Sequence, residues 1–173
     1  RRHPASKRVA IIGGGVIGLT VANVLGKLGY PLTIFSPQPL NQLTSYVAAA
    51  YWGPVWIGHY DRQLATDTLQ VLRSLTGLNA TAGLSERNFT VHVTADGAQQ
   101  LDGELDTRFW WRTVPAIGFQ RHHNISPWTI ELNGRPVRFV ERLEFRSVVA
   151  RMPDYLSWLQ ASAVTKYGAH IET

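Results

Sequence analysis

The first part of the chain has the hydrophobic pattern of a strand, a helix and a second strand. Residues 8–12 form a short apolar run that ends in three glycines, which is typical of a buried parallel strand entering a tight turn. Apolar positions then recur at helical spacing up to Gly29, which suits the left-handed end of a helix. These positions are Val16, Leu19, Val24, Leu25 and Leu28. Another apolar run covers 32–35 and is closed by Ser36 and prolines. The pattern predicts a βαβ unit with parallel strands.

A short helix is predicted after this unit. Thr44 and Ser45 are of the residue types that cap helices, and an apolar stretch over 47–50 follows them. Gly53 and Pro54 then break the pattern. We therefore expect a capped helix over 47–50.

Two longer helices and a final strand are predicted further along the chain. The first helix covers 60–75, with Gly77 as its terminator. The second opens at Pro153, and Gly168 ends it. Residues 169–173 have the pattern of the start of a strand. The expected apolar faces are Leu64, Thr68, Val71, Leu72 and Leu75 in the first helix, and Leu156, Leu159, Ala163 and Val164 in the second.

Between these helices the hydrophobic period changes to two residues. Apolar and polar residues alternate over 89–94 and again over 128–132, which is the rhythm of half-buried strands. Asn133 and Gly134 predict a hairpin turn into a further strand over 137–139. The alternation predicts an antiparallel layer distinct from the parallel sheet.

Composition agrees with a folded globular protein and excludes several classes. The 173 residues are 45% apolar, which is enough for a domain with its own core. No apolar stretch approaches the roughly 20 residues that span a bilayer, so we expect no membrane partner. The formal charge of +5 suits an anionic ligand, but Lys and Arg are scattered, so we expect no nucleic-acid partner. The absence of cysteine excludes disulfides and thiolate catalysis.

The sequence predicts no metal site and leaves the compartment open. His122 and His123 are adjacent, and no third ligand stands at metal-binding spacing. Asn-x-Ser/Thr triplets begin at Asn79, Asn88 and Asn124, which is compatible with secretion.

The glycine-rich turn after the first strand carries the clearest chemical signal. Residues 13–18 match G-x-G-x-x-G between a strand and a helix. In this pattern Gly13 permits the turn, Gly15 lets a pyrophosphate approach the backbone, and Gly18 lets helix and strand pack closely. Val16 and Ile17 start the helix, whose N–H groups attract phosphate. The pattern predicts dinucleotide binding, and the alternative is a purely structural turn.

The position that commonly holds the adenosine ribose lacks its usual carboxylate. Ser36 stands at the end of the second strand, and Pro37 and Gln38 follow it. A serine hydroxyl can still hydrogen-bond a ribose hydroxyl, so Ser36 is a candidate cofactor contact. The missing carboxylate argues against tight NAD binding.

Two segments resemble the family of D-amino-acid oxidases and D-aspartate oxidases. Residues 8–20 are similar to the family's opening, in which Val-Ile-Gly-Leu is followed by Ser or Thr. Residues 44–54 resemble its second signature, a Thr/Ser cluster followed by Val-Ala-Ala-Gly-x-Trp-x-Pro, which is the more specific match. Weaker similarity continues at 109–111, 118–120 and 145–172, so the resemblance spans essentially the whole chain.

The resemblance implies that FAD is the cofactor and indicates which residues hold it. Thr44 and Ser45 would hydrogen-bond its phosphates or its ribityl chain. The backbone of residues 49–52 would lie against the flavin ring, where N–H groups stabilise negative charge on reduction. These residues are Ala49, Ala50, Tyr51 and Trp52.

Two positions depart from the family pattern. Ala50 stands where the family usually has Gly, and Tyr46 stands where it often has an acidic residue. The methyl group of Ala50 would narrow the approach to the flavin and so bear on substrate range. An ordinary buried helix over 47–52 is the structural alternative.

The resemblance further implies oxidative deamination of a small-molecule substrate, a D-amino acid, to a 2-oxo acid, with release of ammonia and hydrogen peroxide. No catalytic side chain is expected in this chain, because the family's substrate-binding residues lie in the second half of its sequence. We therefore expect a companion polypeptide or a truncated domain, and a homo-oligomer of the full assembly. A glycine- or sarcosine-oxidase-like enzyme and a non-catalytic nucleotide-binding module are the alternatives. Peroxisomal localisation is typical of the family.

The predicted fold class is α/β, with a Rossmann-like FAD-binding parallel sheet and part of an antiparallel sheet from a substrate domain. The expected boundaries are 1–78 for the FAD-binding segment and 79–148 for the substrate part. Residues 149–173 are expected to return to the FAD-binding domain.

Overall fold

The computed structural model describes residues 7–53, 62–78, 80–103, 110–123 and 125–173. The chain divides into two compact units, of which the first comprises 1–50, 75–85 and 150–173 and the second 51–74 and 86–149. The predicted fold class is confirmed, because one sheet is parallel and the other contains antiparallel pairs. Pro54, residues 60 and 61, and the triplet starts Asn79 and Asn124 lie outside the described residues.

The chain forms five α-helices and eight strands within the described residues. The helices are α1 (Val16–Lys27), α2 (Thr44–Val47), α3 (Arg62–Leu78), α4 (Ala95–Gly103) and α5 (Met152–Ala161). The strands are β1 (Val9–Ile12), β2 (Leu32–Phe35), β3 (Ala50–Tyr51), β4 (Leu84–Thr94), β5 (Gln120–His122), β6 (Trp128–Leu132), β7 (Arg135–Ala150) and β8 (His170–Glu172).

The first unit is built on a parallel sheet in the order β1-β2-β8. The predicted βαβ unit is confirmed, with Val9 opposite Leu32 and Ile12 opposite Phe35. Gly29 follows α1 at φ +84°, the left-handed conformation that favours glycine. The predicted final strand is also confirmed, because β8 pairs with β2.

The apolar face predicted for α1 was too wide. Leu19 is buried, whereas Val24 and Leu28 are exposed. The helix buries one narrow stripe, and it is tied to α5 by the Asn23 side chain, whose Nδ2 donates to the Leu159 carbonyl at 2.9 Å. Positions outside that stripe therefore face solvent although their spacing is helical.

The last helix begins at Met152, next to the predicted Pro153, and continues as a π-helical turn over Ser162–Lys166. Its predicted face is confirmed at Leu156, Leu159 and Ala163, which are buried, but Val164 is exposed. Val164 directly follows the buried Ala163, and consecutive residues of a helix point to different sides, so Val164 leaves the face.

The helix predicted over 47–50 was misplaced. The structure has it at Thr44–Val47, and the backbone is already extended at Ala48, with ψ 137°. Residues 50–51 form β3, which pairs with β7. Of the residues predicted to be helical, Ala50 thus lies in a paired strand, and the buried-helix alternative for 47–52 is wrong as well.

The second unit contains a sheet in which β7 pairs with β3, β4, β5 and β6. The predicted hairpin is confirmed, since β6 covers 128–132 and both turn residues have positive φ, 52° at Asn133 and 72° at Gly134. The other predicted strand is longer than expected, because β4 begins at Leu84 instead of residue 89. Its end, Val93, is buried in a cluster with Ala98, Leu101 and Leu143.

The sequence pattern missed α4, which supplies part of that cluster. The segment is rich in Gln, Asp and Gly and so carries little helical periodicity. The sequence signal for this helix was the threonine at its N-terminus. Thr94 Oγ1 caps the helix by accepting a hydrogen bond from the Gly97 N–H at 3.2 Å.

The face predicted for α3 was wrong. Leu64 and Val71 are exposed, whereas Ala65 and Leu69 are buried. Trp52 determines this orientation, because its Nε1 donates to the Ala65 carbonyl at 2.9 Å. The helix also passes through Gly77 to Leu78 instead of ending there.

The domain boundaries inferred from the sequence stay a prediction. Among the compact units of the structure, residues 51–74 group with the antiparallel sheet. The cause is again Trp52, whose N–H donates to the Val148 carbonyl at 2.9 Å and whose indole holds α3. No helix in the described ranges is both long and apolar enough to cross a bilayer.

Candidate functional site

The glycine-rich turn joins β1 to α1 at the carboxyl ends of the parallel strands. Gly13 has φ +105°, which L side chains rarely adopt, and its N–H donates to the Phe35 carbonyl at 2.8 Å. A Cβ on Gly18 would lie 1.9 Å from the Gly13 carbonyl oxygen. Gly18 therefore has no room for a side chain, and Gly13 disfavours one through its backbone conformation.

The N-cap residue of α1 supplies no side-chain cap. Gly15 is the N-cap residue, it offers no side chain, and the first turn of the helix contains no acidic residue. Val16 is half-buried, and the Ile17 side chain is 78% exposed. The first N–H groups of a helix lack partners within the helix and carry partial positive charge. The arrangement suits a phosphate group, which is what the sequence pattern predicted for these residues.

Ser45 is brought to this helix end from a distant part of the sequence. Its Oγ accepts a hydrogen bond from the Val16 N–H at 3.3 Å. It would also lie 3.1 Å from a Cβ placed on Gly15. Thr44, the other predicted phosphate contact, is exposed at the start of α2. The short helix α2 therefore delivers one hydroxyl to the turn and leaves the other at the surface.

Ser36, the predicted ribose contact, is buried at the end of β2. It is 6% exposed, and its Oγ donates to the Gln38 carbonyl at 3.0 Å. A Cβ on Gly14 would come within 2.6 Å of the same Oγ. The serine hydroxyl has thus used its hydrogen inside the protein, and only its lone pairs remain for a ligand.

A small cleft lies beside Ser36 in the first unit. Its lining includes Gly14, Ser36, Gln38, Leu43, Gln160 and Thr173. Gly14, Ser36 and Thr173 follow the carboxyl ends of β1, β2 and β8, which is where open parallel sheets bind nucleotides. Gly14 stands at a position that the motif leaves open, and its place in the middle of three consecutive glycines was the available sequence signal.

Residues 49–52 divide between the two units. Ala49 is exposed and Ala50 is half-buried in the first unit, while Tyr51 and Trp52 belong to the second. The Tyr51 ring is 52% exposed, and its centroid lies 5.3 Å from that of Phe89. These positions have extended backbone, so their N–H and C=O groups are not used in a helix.

Trp52 is held by three hydrogen bonds within the second unit. Besides its bonds to Val148 and Ala65, its carbonyl accepts a hydrogen bond from the fully buried Ser147 at 2.6 Å. All three polar groups of Trp52 are therefore satisfied inside the protein. Its predicted contact with a cofactor stays a prediction, as do those of the other site residues.

A charged cluster lies elsewhere in the second unit. Arg121 Nε donates to Glu141 at 2.6 Å and its Nη1 to Asp102 at 2.5 Å. These bonds from the Arg121 guanidinium hold the pKa values of the Glu141 and Asp102 carboxyls below their usual range. His123 Nδ1 lies 2.9 Å from Glu141 and His122 Nε2 lies 3.1 Å from Glu144. In the part of the chain that the structure describes, no cluster of His, Asp and Glu could hold a metal ion.

The glycine turn fits a dinucleotide that carries a pyrophosphate. A side chain at Gly15 would press on Ser45, so the absence of one keeps both the hydroxyl and the helix N–H groups accessible together. The chemistry available here is anion binding by neutral donors, since the first turn of α1 carries no charged side chain of either sign.

Comparison with known proteins identifies relatives over most of the chain. The family model described as "FAD dependent oxidoreductase" matches residues 8–173. A D-amino-acid oxidase from Streptomyces coelicolor is 28% identical over 138 residues, which cover 71% of this chain and 42% of the relative. One from Rubrobacter xylanophilus is 29% identical over 154 residues, 88% of this chain and 42% of the relative. The chain thus spans less than half the length of these relatives.

Solved structures share the fold at lower sequence identity. Glycine oxidase from Geobacillus kaustophilus superimposes with a TM-score of 0.70 at 21% identity, over 94% of this chain and 45% of that one. L-amino acid deaminase from Proteus vulgaris gives 0.69 at 12% identity, over 96% and 39%. L-α-glycerophosphate oxidase from Mycoplasma pneumoniae, solved with FAD bound, gives 0.64 at 17% identity, over 96% and 44%.

Proposed function

Starting from the fact that this chain belongs to the family of FAD-dependent oxidoreductases, we propose that it forms the cofactor-binding part of an oxidase of D-amino acids. FAD is the cofactor that the family uses, and one structural neighbour holds it. When bound, FAD would supply the two-electron redox chemistry that oxidises an amino acid, with oxygen as the final electron acceptor.

One observation carries the assignment of the cofactor site to this chain. The N-cap residue of α1 supplies no side-chain cap. The Val16 N–H instead donates a hydrogen bond to Ser45 Oγ, which α2 brings to this helix end. We assign the pyrophosphate to the N–H groups of this helix end, with Ser45 and Thr44 as hydroxyl partners. The adenosine would follow toward Ser36, and the backbone of 49–52 would face the flavin ring.

The substrate class rests on the curated relatives. Both are D-amino-acid oxidases, and each aligns over most of this chain. We propose that groups outside residues 1–173 bind the substrate carboxylate, so that this chain contributes binding and orientation of the cofactor and no catalytic side chain. A D-amino acid is then the substrate of the complete assembly.

A spectroscopic titration tests the proposal on the purified protein. We expect a yellow protein with a flavin band at about 450 nm that bleaches on anaerobic addition of D-alanine or D-aspartate, because reduction removes that band. Admission of oxygen is expected to restore the band and release hydrogen peroxide. A flavin band that no D-amino acid bleaches would contradict the D-amino-acid assignment, and a protein without flavin would contradict the cofactor site.

A second candidate is an amine oxidase that acts on glycine or sarcosine. The structural similarity to glycine oxidase favours it, and Ala50, which adds a methyl group where the resemblance places the flavin, favours a small substrate. Bleaching by glycine and sarcosine with no response to D-alanine would select this candidate. A non-catalytic nucleotide-binding module would bind FAD and respond to neither group of substrates.

The proposal also says where the substrate-binding groups lie. We propose a companion polypeptide that carries the substrate-binding groups, because the chain covers 42% of each curated relative. Intact-mass spectrometry of the active preparation should then find a second polypeptide of comparable or greater mass. A fully active preparation that contains a single species with the mass of this chain would contradict two claims. It would show that no companion polypeptide is needed and that residues 1–173 themselves bind the substrate.

A further inference from the structure

The outer edge of the β6–β7 hairpin is the feature that carries a further inference. β6 pairs with β7 along one side, and no other strand in the described part of the chain pairs with it. All five of its residues are exposed. An unpaired strand edge presents backbone donors and acceptors, which makes it a template for another strand.

The hairpin geometry determines which backbone groups point outward. A two-residue turn at Asn133 and Gly134 makes Leu132 and Arg135 a hydrogen-bonded pair. Hydrogen-bonded and non-hydrogen-bonded pairs alternate along an antiparallel ladder. The N–H and C=O groups of Thr129 and Glu131 therefore point away from β7.

Pro136 agrees with this assignment. It stands opposite Glu131, at a pair where no hydrogen bond joins β6 and β7. A proline has no N–H to donate, so it is tolerated at this position without loss to the hairpin. The ladder between β6 and β7 is thus complete, and the unused groups all lie on the free edge of β6.

We propose that β6 pairs antiparallel with β6 of a second copy of this chain, about a two-fold axis at Ile130. Around that axis Thr129 lies opposite Glu131 of the partner subunit, and the reverse holds by symmetry. Both residues of each pair have outward-pointing N–H and C=O groups, so each pair exchanges both backbone hydrogen bonds. An interface of this kind is isologous, in which the same patch is used twice.

The side chains of β6 are also self-complementary in this register. Trp128 would face Leu132 of the partner subunit, and Ile130 would face its own copy, so the exposed apolar row becomes continuous. The Trp128 ring is already held on β7, with its centroid 4.7 Å from that of Phe139. The apolar face therefore needs little ordering on association.

Charges on the other face select a second copy as the occupant. Arg138 stands beside Thr129 in the hairpin, and both Arg138 and Glu131 are exposed. In the proposed register Glu131 of the partner subunit lies on the far side of Thr129, about 10 Å across the strands, within reach of the long arginine side chain. The two-fold axis repeats this pair, so each copy supplies one carboxylate and one guanidinium.

The size of the contact determines how tight the dimer is. A pair of five-residue strands buries less surface than a standard stable interface. We therefore expect a concentration-dependent dimer with a dissociation constant on the order of micromolar. Cofactor binding plays no part in the contact, so its test is independent of the proposed oxidase activity.

Sedimentation velocity of the purified protein over a dilution series tests the proposal. We expect the mass to double with concentration. T129P removes an outward N–H without removing a β6–β7 hydrogen bond, so it should weaken association at least about tenfold. T129V keeps the N–H and should dimerise like the parent protein. E131R should weaken association, and the double variant E131R/R138E should restore it, with unchanged circular dichroism in each case.

Two results would overturn the proposal. A protein that stays monomeric at all concentrations would mean that another segment of the assembly, or nothing, covers β6. Dimerisation of T129P with the affinity of the parent protein would mean that the copies associate through another surface.

Discussion

Ser45 shows how one hydroxyl can serve both the fold and a ligand. Its oxygen accepts from the Val16 N–H and so holds α2 at the N-terminus of α1. A hydroxyl has one hydrogen and two lone pairs, so it can still donate to a phosphate oxygen while it accepts. A methyl group in its place would remove both interactions at once.

We predict that S45A lowers the affinity for FAD about tenfold, or roughly 1.4 kcal/mol, because one phosphate donor is lost. Isothermal titration of the cofactor-free protein with FAD measures the change. S157A is the matched control, since Ser157 is exposed on α5 and bonds only the Pro153 carbonyl. Equal dissociation constants for S45A and S157A would show that Ser45 makes no cofactor contact.

Glu141 gives the second unit a pH dependence of predictable sign. Its side chain and that of Arg121 are each 12% exposed, and the hydrogen bond from Arg121 lowers the pKa of the carboxyl. The folded-state pKa is therefore below the unfolded one. The stabilisation is complete above the ordinary carboxyl range and is lost as pH falls through the depressed pKa of Glu141.

We predict that R121M costs about 2 kcal/mol of unfolding free energy at neutral pH, and that this difference narrows as the pH is lowered through the acid range. Urea unfolding at a series of pH values measures it. R87M, which changes an exposed arginine of β4, should track the parent protein throughout. A constant difference between R121M and the parent at all pH values would contradict a role for the Glu141 charge.

At the scale of elements, two glycines in helices of the first unit have opposite surroundings. A Cβ at Gly18 in α1 would meet the Gly13 carbonyl oxygen at 1.9 Å, whereas a Cβ at Gly77 in α3 would meet nothing within 4 Å. The first glycine is needed because helix and turn touch there. The second leaves α3 with the entropic penalty of a glycine and gains no contact.

We therefore predict that G18A destabilises the protein by about 3 kcal/mol or more through overpacking, while G77A stabilises it by about 0.5–1 kcal/mol. Urea unfolding followed by tryptophan fluorescence measures both. Each variant is the control for the other, because the same methyl group is added to a helix. A G18A protein as stable as the parent would mean that α1 and the turn can separate without cost.

At the scale of the whole molecule, cofactor binding should be visible as stability. A ligand that binds only the folded state stabilises it by about 2.7 kcal/mol when its free concentration is about 100 times its dissociation constant. The glycine turn and the N-terminus of α1 belong to the same compact unit, so we expect recognition of the pyrophosphate to stabilise that unit.

We predict that FAD and ADP both raise the melting temperature and that riboflavin does not, because riboflavin has no phosphate for the helix N-terminus. Differential scanning fluorimetry of the cofactor-free protein measures the three shifts. A shift with riboflavin equal to that with ADP would place the main binding energy away from the glycine turn.

Local patterns determined much of this protein before any tertiary contact was considered. The alternation of apolar runs with glycine turns predicted β1, α1, β2, the 128–134 hairpin strand and turn, and β8. These elements are encoded by near neighbours, since a residue such as Gly29 or Asn133 favours its backbone conformation whatever surrounds it. The family followed from the same segments, because residues 8–20 and 44–54 are contiguous.

Tertiary structure alone determined which helix faces are buried and which hydroxyl groups bond within the protein. Trp52 turns α3 so that Ala65 and not Leu64 is buried, and strand pairing extends residues 50–51 that had a helical pattern. Ser36 is turned inward to Gln38, whereas Ser45 reaches Val16 across 29 positions of sequence. Such choices depend on contacts between distant residues, whose energies exceed the small local propensities that a sequence pattern reports.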